Sequence, residues 1–185
     1  MLQHCVKSYL LVFMVAGATC IGPSWGADDE ASPEAMTSMF LALGFKQTNS
    51  ISSAACKVIV DVDQATVIKS VPLLQKLDVL NSDKTANELT QEPIKTTMAT
   101  AIQIAAMQLK SFYDANASAD KCQFAHNLIS NDDYGNPRKY LMFSYGFDRG
   151  TYTKINWQNF RSPNLMKVSK GFTFNPEMGM RMRSE

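Results

Sequence analysis

Two spacings of apolar residues run through this chain, one near 3.6 residues and one near two, and the change between them divides it. At the start of the periodic region Ser32 and Pro33 stand as helix cap and first-turn residue. Met36, Met39, Phe40 and Leu43 follow three or four apart and Gly44 is a natural stop, which predicts one short amphipathic helix. Residues 47–53 are polar and read as a loop. Two patterns fit 54–69: Cys56, Val58, Val60 and Val62 alternate with Lys57, Asp61 and Asp63 as in a strand, while Ala55, Val58, Ile59, Val62 and Ala65 mark a helical face. Ser52 and Ser53 are available as caps and helices follow, so the helix is preferred. Ser70 and Pro72 open another helix whose buried stripe is Leu73, Leu74, Leu77 and Leu80.

The longest periodic run covers 91–115, capped by Thr90, with Glu92 and Pro93 early in it. Ile94, Met98, Ala101, Ile102, Ala105, Leu109 and Phe112 form its stripe, and a helix of this length suits the spine of a bundle. A further short helix is expected over 119–129, behind Ser118 and carrying Cys122.

After Asn131-Asp132-Asp133 the composition turns aromatic: Tyr134, Tyr140, Phe143, Tyr145, Phe147, Tyr152, Trp157, Phe160, Phe172 and Phe174. Residues 139–147 and 151–160 read as two strands joined by Asp148-Arg149-Gly150, a hairpin signal, and Gly171-Phe172-Thr173-Phe174 as a third. The expected fold class is α+β: a small bundle of about four or five helices (32–130) followed by a C-terminal antiparallel β-hairpin or small sheet (138–175). Together these make one domain over 32–175, with 176–185 as a flexible tail. No internal repeat, heptad or low-complexity tract is present.

The first residues change how the cysteines are counted. Lys7, the apolar run from Tyr9 to Gly17, and Ser24 and Gly26 before Ala27 have the layout of a secretory signal peptide over 1–26, with 27–31 as a mobile leader. Cys20 after Gly17-Ala18-Thr19 leaves lipoprotein processing open. Of four cysteines, Cys5 and Cys20 fall in the signal, so Cys56 and Cys122 remain, and in an oxidising compartment they most simply form one disulfide. The competing reading places Cys122 and His126 four apart on one helical face, as nucleophile and base or half a metal site.

Of the 185 residues 45% are hydrophobic and 19% charged, which marks a folding chain. The net charge of +1 argues against a general nucleic-acid binder. It is unevenly spread: residues 27–133 carry eight lysines and 14 acids, while 134–185 carry nine basic residues, including every arginine, and three acids. The two parts are suited to attract each other within one molecule or between copies, and a salt-sensitive homo-oligomer is expected.

Candidate chemistry is sparse. Lys57-Val58-Ile59-Val60-Asp61-Val62-Asp63, an apolar run ending in Asp-x-Asp, resembles the first motif of haloacid-dehalogenase-type phosphatases. The resemblance implies Asp61 as the group attacking phosphorus, Asp63 as acid/base and Asp132-Asp133 as the distal pair near Mg²⁺. Ala65 stands where that family has Thr or Val, and alternating βα units are not expected here. The other reading is two solvated aspartates. Asn131 to Pro137 lacks the ladder of a calcium loop and reads as a polar turn. No catalytic residue, metal site or cofactor is assigned.

The basic, aromatic C-terminal part has three readings: a grip on single-stranded nucleic acid, aromatics packing the core with solvated charges, or an interaction surface. Arg138, Tyr145, Arg149, Tyr152, Trp157 and Arg161 are the candidate residues of such a surface. The functional expectation is an exported, non-enzymatic interaction or scaffold protein. Its place is the periplasm, with secretion or a lipid anchor as alternatives and no membrane span after signal removal. Its partners are itself or an envelope protein, as an accessory of a cell-envelope assembly such as a bacterial secretion system, and not nucleic acid. A metal-dependent phosphohydrolase using Asp61 and Asp63, an inhibitor or immunity-type protein, and a secreted effector stand as alternatives.

Overall fold

The structure is a computed structural model that describes residues 32–52, 55–77, 79–80, 83–132 and 134–183. The signal peptide, the leader and Cys20 lie outside the described residues. Helix α1 (Pro33–Ala42) starts at Ser32, whose Oγ accepts a hydrogen bond from the Ala35 N–H at 3.3 Å. Gly44, at φ 90°, turns the chain into strand β1 (Phe45–Ile51). A Cβ there would lie 3.0 Å from both the Asp63 carbonyl oxygen and the Thr66 Cβ, so the corner requires glycine twice over.

Strand β2 (Cys56–Asp63) returns antiparallel to β1, with Phe45 opposite Val62 and Ile51 opposite Cys56. Asp63 ends the strand by capping α2 (Gln64–Lys69), accepting from the Thr66 N–H at 2.7 Å. After α3 (Val71–Lys76), a Thr85/Glu88 capping box opens α4 (Ala86–Thr90), and α5 (Pro93–Ala115) follows. Strand β3 (Lys121–Asn131) then lies parallel to β2, and β4 (Pro137–Asp148) forms an antiparallel hairpin with β3. The chain continues through α6 (Arg149–Tyr152), a 3₁₀ turn at Ser162–Asn164, α7 (Leu165–Val168), strand β5 (Lys170–Phe174) and α8 (Pro176–Arg183). The five strands lie in the order β1-β2-β3-β4-β5.

The expected helical bundle with a C-terminal hairpin is therefore corrected: a mixed five-stranded sheet is central, and eight helices are found among the described residues. Each miss has a local cause. In β1 only Phe45 and Ile51 are apolar, because an edge strand whose side chains mostly meet water shows no alternation. In 54–69 the period-two pattern wins over the helical one, with Val58, Val60 and Val62 all fully buried and a β-branched run well suited to a sheet. The expected helix at 119–129 is β3, where Cys122, Phe124, His126 and Leu128 alternate inward. The expected strand at 151–160 is not a strand. Asp148 instead caps α6, accepting from the Thr151 N–H at 2.7 Å, and Asp148-Arg149-Gly150 is a helix start and not a hairpin turn. The hairpin lies earlier, at 131–137, where Asp132 Oδ1 accepts from the N–H groups of Tyr134 and Asn136. The strand at 170–174 and the long helix are found where expected. The 176–185 stretch is helical through Pro176–Arg183, and Met178 is buried, so it is a docked helix where a flexible tail was expected.

Spine and sheet meet through complementary rows. Met98, Ala101, Ile104, Ala105, Leu109 and Phe112 of α5 are buried, as are the inward side chains of β2, β3 and β4. The late aromatics fill this layer: Phe124, Tyr145 and Phe172 stack in succession across three strands, with centroids 5.1 and 5.6 Å apart. Cys56 and Cys122 face each other at the start of the parallel β2–β3 pair and form a disulfide. It joins residues 66 apart in sequence, which in the chain-entropy model is worth about 4 kcal/mol.

Candidate functional site

Alternation sends one set of strand side chains toward the helices and the other to the opposite face of the sheet. That second face carries Lys46, Thr48 and Ser50 from β1, then Lys57, Ile59, Asp61 and Asp63 from β2. Gln123, Ala125, Asn127 and Ile129 follow from β3, then Lys139, Leu141, Ser144 and Gly146 from β4. No described helix covers it: Thr48, Lys57, Gln123, Lys139 and Leu141 are exposed and Ile59, Ala125 and Ser144 half-buried. Gly146 is buried beneath the side-chain amide of Gln123.

The polar centre of this face is Asp61. Its Oδ1 accepts from the Asn127 side-chain amide at 2.9 Å, and the Lys139 ammonium lies 2.7 Å from Oδ1 and 2.8 Å from Oδ2. Three adjacent strands thus contribute one residue each to a fixed pattern of charge and amide. Nearer the β5 edge, Ser144 and Thr173 hydroxyls lie 3.1 Å apart. Lys170 pairs with Asp148 at 2.8 Å, and this contact holds the Asp148 carboxyl down at about 2.

The Asp-x-Asp residues are engaged in this framework. Asp61 is held by Lys139 and Asn127, while Asp63 spends an oxygen capping α2. Asp132 sits in the β3–β4 turn, where the Asn136 N–H first of all, and then the Tyr134 N–H and Arg138, hold its carboxyl below the ordinary range. Asp133 lies outside the described residues. No group of three or more His, Cys, Asp or Glu side chains able to hold one metal ion occurs among the described residues.

Cys122 and His126 do not work together as a reactive pair. Cys122 is consumed by the disulfide, and on a strand four residues span about 13 Å. His126 lies wholly inside the core, stacked on Phe143 at 4.4 Å between centroids, and burial pushes its pKa down to about 3.

The six residues proposed as an interaction surface are dispersed. Tyr145 is in the core and Tyr152 is buried beside Tyr113, at 5.0 Å between centroids. Arg149 acts inward. Its Nε donates to the Ala119 carbonyl at 3.1 Å, and Nη2 donates to the carbonyls of Tyr113, at 3.0 Å, and Asn116. It thereby satisfies carbonyls at the end of α5 while lying 4.8 Å above the Tyr113 ring. Trp157 is half-buried, lies tilted against the Tyr152 ring and donates to the Tyr152 carbonyl at 3.3 Å. Only Arg138, paired with Asp132 at 3.2 Å, and Arg161 are exposed.

The uncovered sheet face, with Thr48, Gln123, Asn127 and Ser144, was missed because its residues are small and polar. The signal that would have found it is the alternation of β3, where Gln123, Ala125 and Asn127 interleave with Cys122, Phe124 and His126. A shallow cleft of about 350 Å³ lies elsewhere, between Ile155, Asn159, Phe160 and Val168. Comparison with protein-family models, curated proteins and solved structures finds no match.

Proposed function

We propose that this is an exported, non-enzymatic interaction protein, a scaffold or accessory of a cell-envelope assembly, that presents the uncovered face of its sheet to a partner. One observation carries the reading. The central β2–β3 pair is parallel, and sheets built of parallel strands are ordinarily covered on both faces, yet in this mixed sheet the described helices cover one face alone. The other offers a rigid platform that combines apolar positions at Ile59, Ala125 and Leu141 with the Asp61–Asn127–Lys139 cluster. That mixture of modest apolar area and fixed polar groups suits a protein partner. The Cys56–Cys122 bond supports an oxidising compartment such as the periplasm, which agrees with the layout of residues 1–26.

The test is site-specific photo-crosslinking in intact cells. A photoreactive residue at Gln123 or Leu141 is expected to capture an envelope component. The same residue at exposed Thr153, on the turn after α6, is expected to capture none. Recovery of no envelope component from either sheet position would overturn the proposal.

A further inference from the structure

The two edges of the sheet are built differently. Strand β5 is a short edge: three of its five residues pair with β4 through an interrupted register, Gly171 sits at φ 58°, and Asn175 then ties the chain back to Met142. Strand β1 pairs without interruption with β2 over all seven of its residues, and its outer backbone edge has no partner among the described residues. It lacks proline and bulges, and Lys46 is its sole charge. Exposed edges of this length and regularity recruit another strand unless charge, proline or a bulge prevents it.

We infer that β1 pairs with β1 of a second copy, antiparallel about a two-fold axis at Thr48, to make a continuous ten-stranded sheet. The sequence of the strand selects this occupant. Centred on Thr48, the pairing sets Thr48 against itself, Gln47 against Asn49, Lys46 against Ser50 and Phe45 against Ile51. Threonine pairs and amide pairs are favourable neighbours across strands, and no like charges stand opposite. The two Lys46 residues are about 14 Å apart along the strand, beyond the screening length in physiological salt. Ile51 is 43% exposed in the single chain, so the edge keeps apolar surface that pairing can cover, while Phe45 opposite it is already buried in its own core.

The register follows from geometry. Directly opposed antiparallel residues point to the same face, so pairing even with even positions keeps both helical layers on one side. Among such registers the Thr48 centre overlaps all seven residues of β1, whereas centring on Gln47 or Asn49 overlaps about five. The pairing also runs the uncovered face across both copies, doubling the platform. A single pair of short strands buries less than the roughly 1,200 Å² of a standard stable interface. The dimer is accordingly a weak one, populated at high local concentration.

This inference goes beyond the proposed function, and the test separates the two. Single-cysteine variants Thr48→Cys and Thr173→Cys, both at exposed positions, are made in the exported chain with the Cys56–Cys122 bond retained. Each is treated with a short bis-maleimide across a protein concentration series, in low salt and in 0.5 M NaCl. Circular dichroism first verifies that both variants fold like the parent. The expected result is a concentration-dependent dimer of Thr48→Cys, at least fivefold above Thr173→Cys and equal at both salt levels. Equal yields from the two variants overturn the inference, as does a Thr48→Cys yield that collapses in high salt. Envelope crosslinks from Gln123 or Leu141 would survive either failure.

Discussion

His126 makes the acid stability of the protein a one-residue question. The ring lies in the core on Phe143 and Tyr145, opposite Val60 in β2, and neither nitrogen has a hydrogen-bond partner among the described residues. In the unfolded chain a histidine titrates near 6.5; in the fold burial lowers this to about 3. Between those two values the unfolded chain binds one more proton than the native one, so stability falls as pH falls. From pH 7.5 to pH 5 the loss from this residue is about 2 kcal/mol, and it approaches ~4–5 kcal/mol near pH 3. The perturbation is His126→Phe, which keeps a stacked ring and removes the titration. At neutral pH two effects of about 1–3 kcal/mol oppose each other, relief of unpaired nitrogens against a larger ring. The informative quantity is therefore the slope. Urea unfolding followed by circular dichroism at pH 7.5, 6 and 5 should show the parent losing ~2 kcal/mol more than the variant. Carboxylates such as Asp148 titrate in both proteins and cancel in the difference. Parallel stability–pH curves would refute the reasoning.

Three further outcomes follow from the geometry. Replacing Cys56 and Cys122 together by serine should lower the unfolding free energy by about 4 kcal/mol, and the parent should show no free thiol from these residues in a denatured thiol assay. Arg149→Ala should cost about 2–4 kcal/mol in denaturant unfolding, because three carbonyls around the end of α5 lose a charged donor; Arg149→Lys should recover only part of it. Gly44→Ala should cost about 2–4 kcal/mol by thermal or urea unfolding, from positive φ together with the contacts at Asp63 and Thr66.

Sequence pattern reported this fold unevenly, and the reason lies in how each element is buried. The α5 stripe was readable because one long helix buries one face, so Met98, Ala101, Ala105, Leu109 and Phe112 recur at helical spacing. Strand β4 was readable through its aromatics. The parallel pair β2–β3 was not, because Val58, Ile59 and Val62 satisfy a helical face as well as a strand. Pairing with its neighbours, above all with β3 residue for residue from Cys56–Cys122 to Asp63–Ile129, decides between them. That pairing is made between residues far apart in the chain, and local periodicity holds no record of it. The disulfide was the one long-range constraint written in the sequence, and it joins the two strands that periodicity left undecided or mistook. The candidate surface failed for a related reason. Tyr145 and Arg149 have the composition of hot spots, yet the same bulk and donors serve to fill a core and to end a helix.

The division of charge takes on a different meaning once the strands are in place. Acid and base from the two parts of the chain meet inside one molecule: Lys139 on Asp61 across the sheet face, and Arg138 on Asp132 at the hairpin turn. These pairs are partly or fully open to solvent, so each contributes little to stability. Their effect is on arrangement, since they fix the pattern of donors and acceptors that a partner would meet. Charge satisfied within the chain is also charge withdrawn from contacts between copies. The edge of β1, nearly uncharged and self-complementary about Thr48, gives association a basis that salt does not screen. A salt titration of self-association therefore separates two physical origins: decay with ionic strength belongs to the opposed halves, and constancy belongs to backbone pairing along β1.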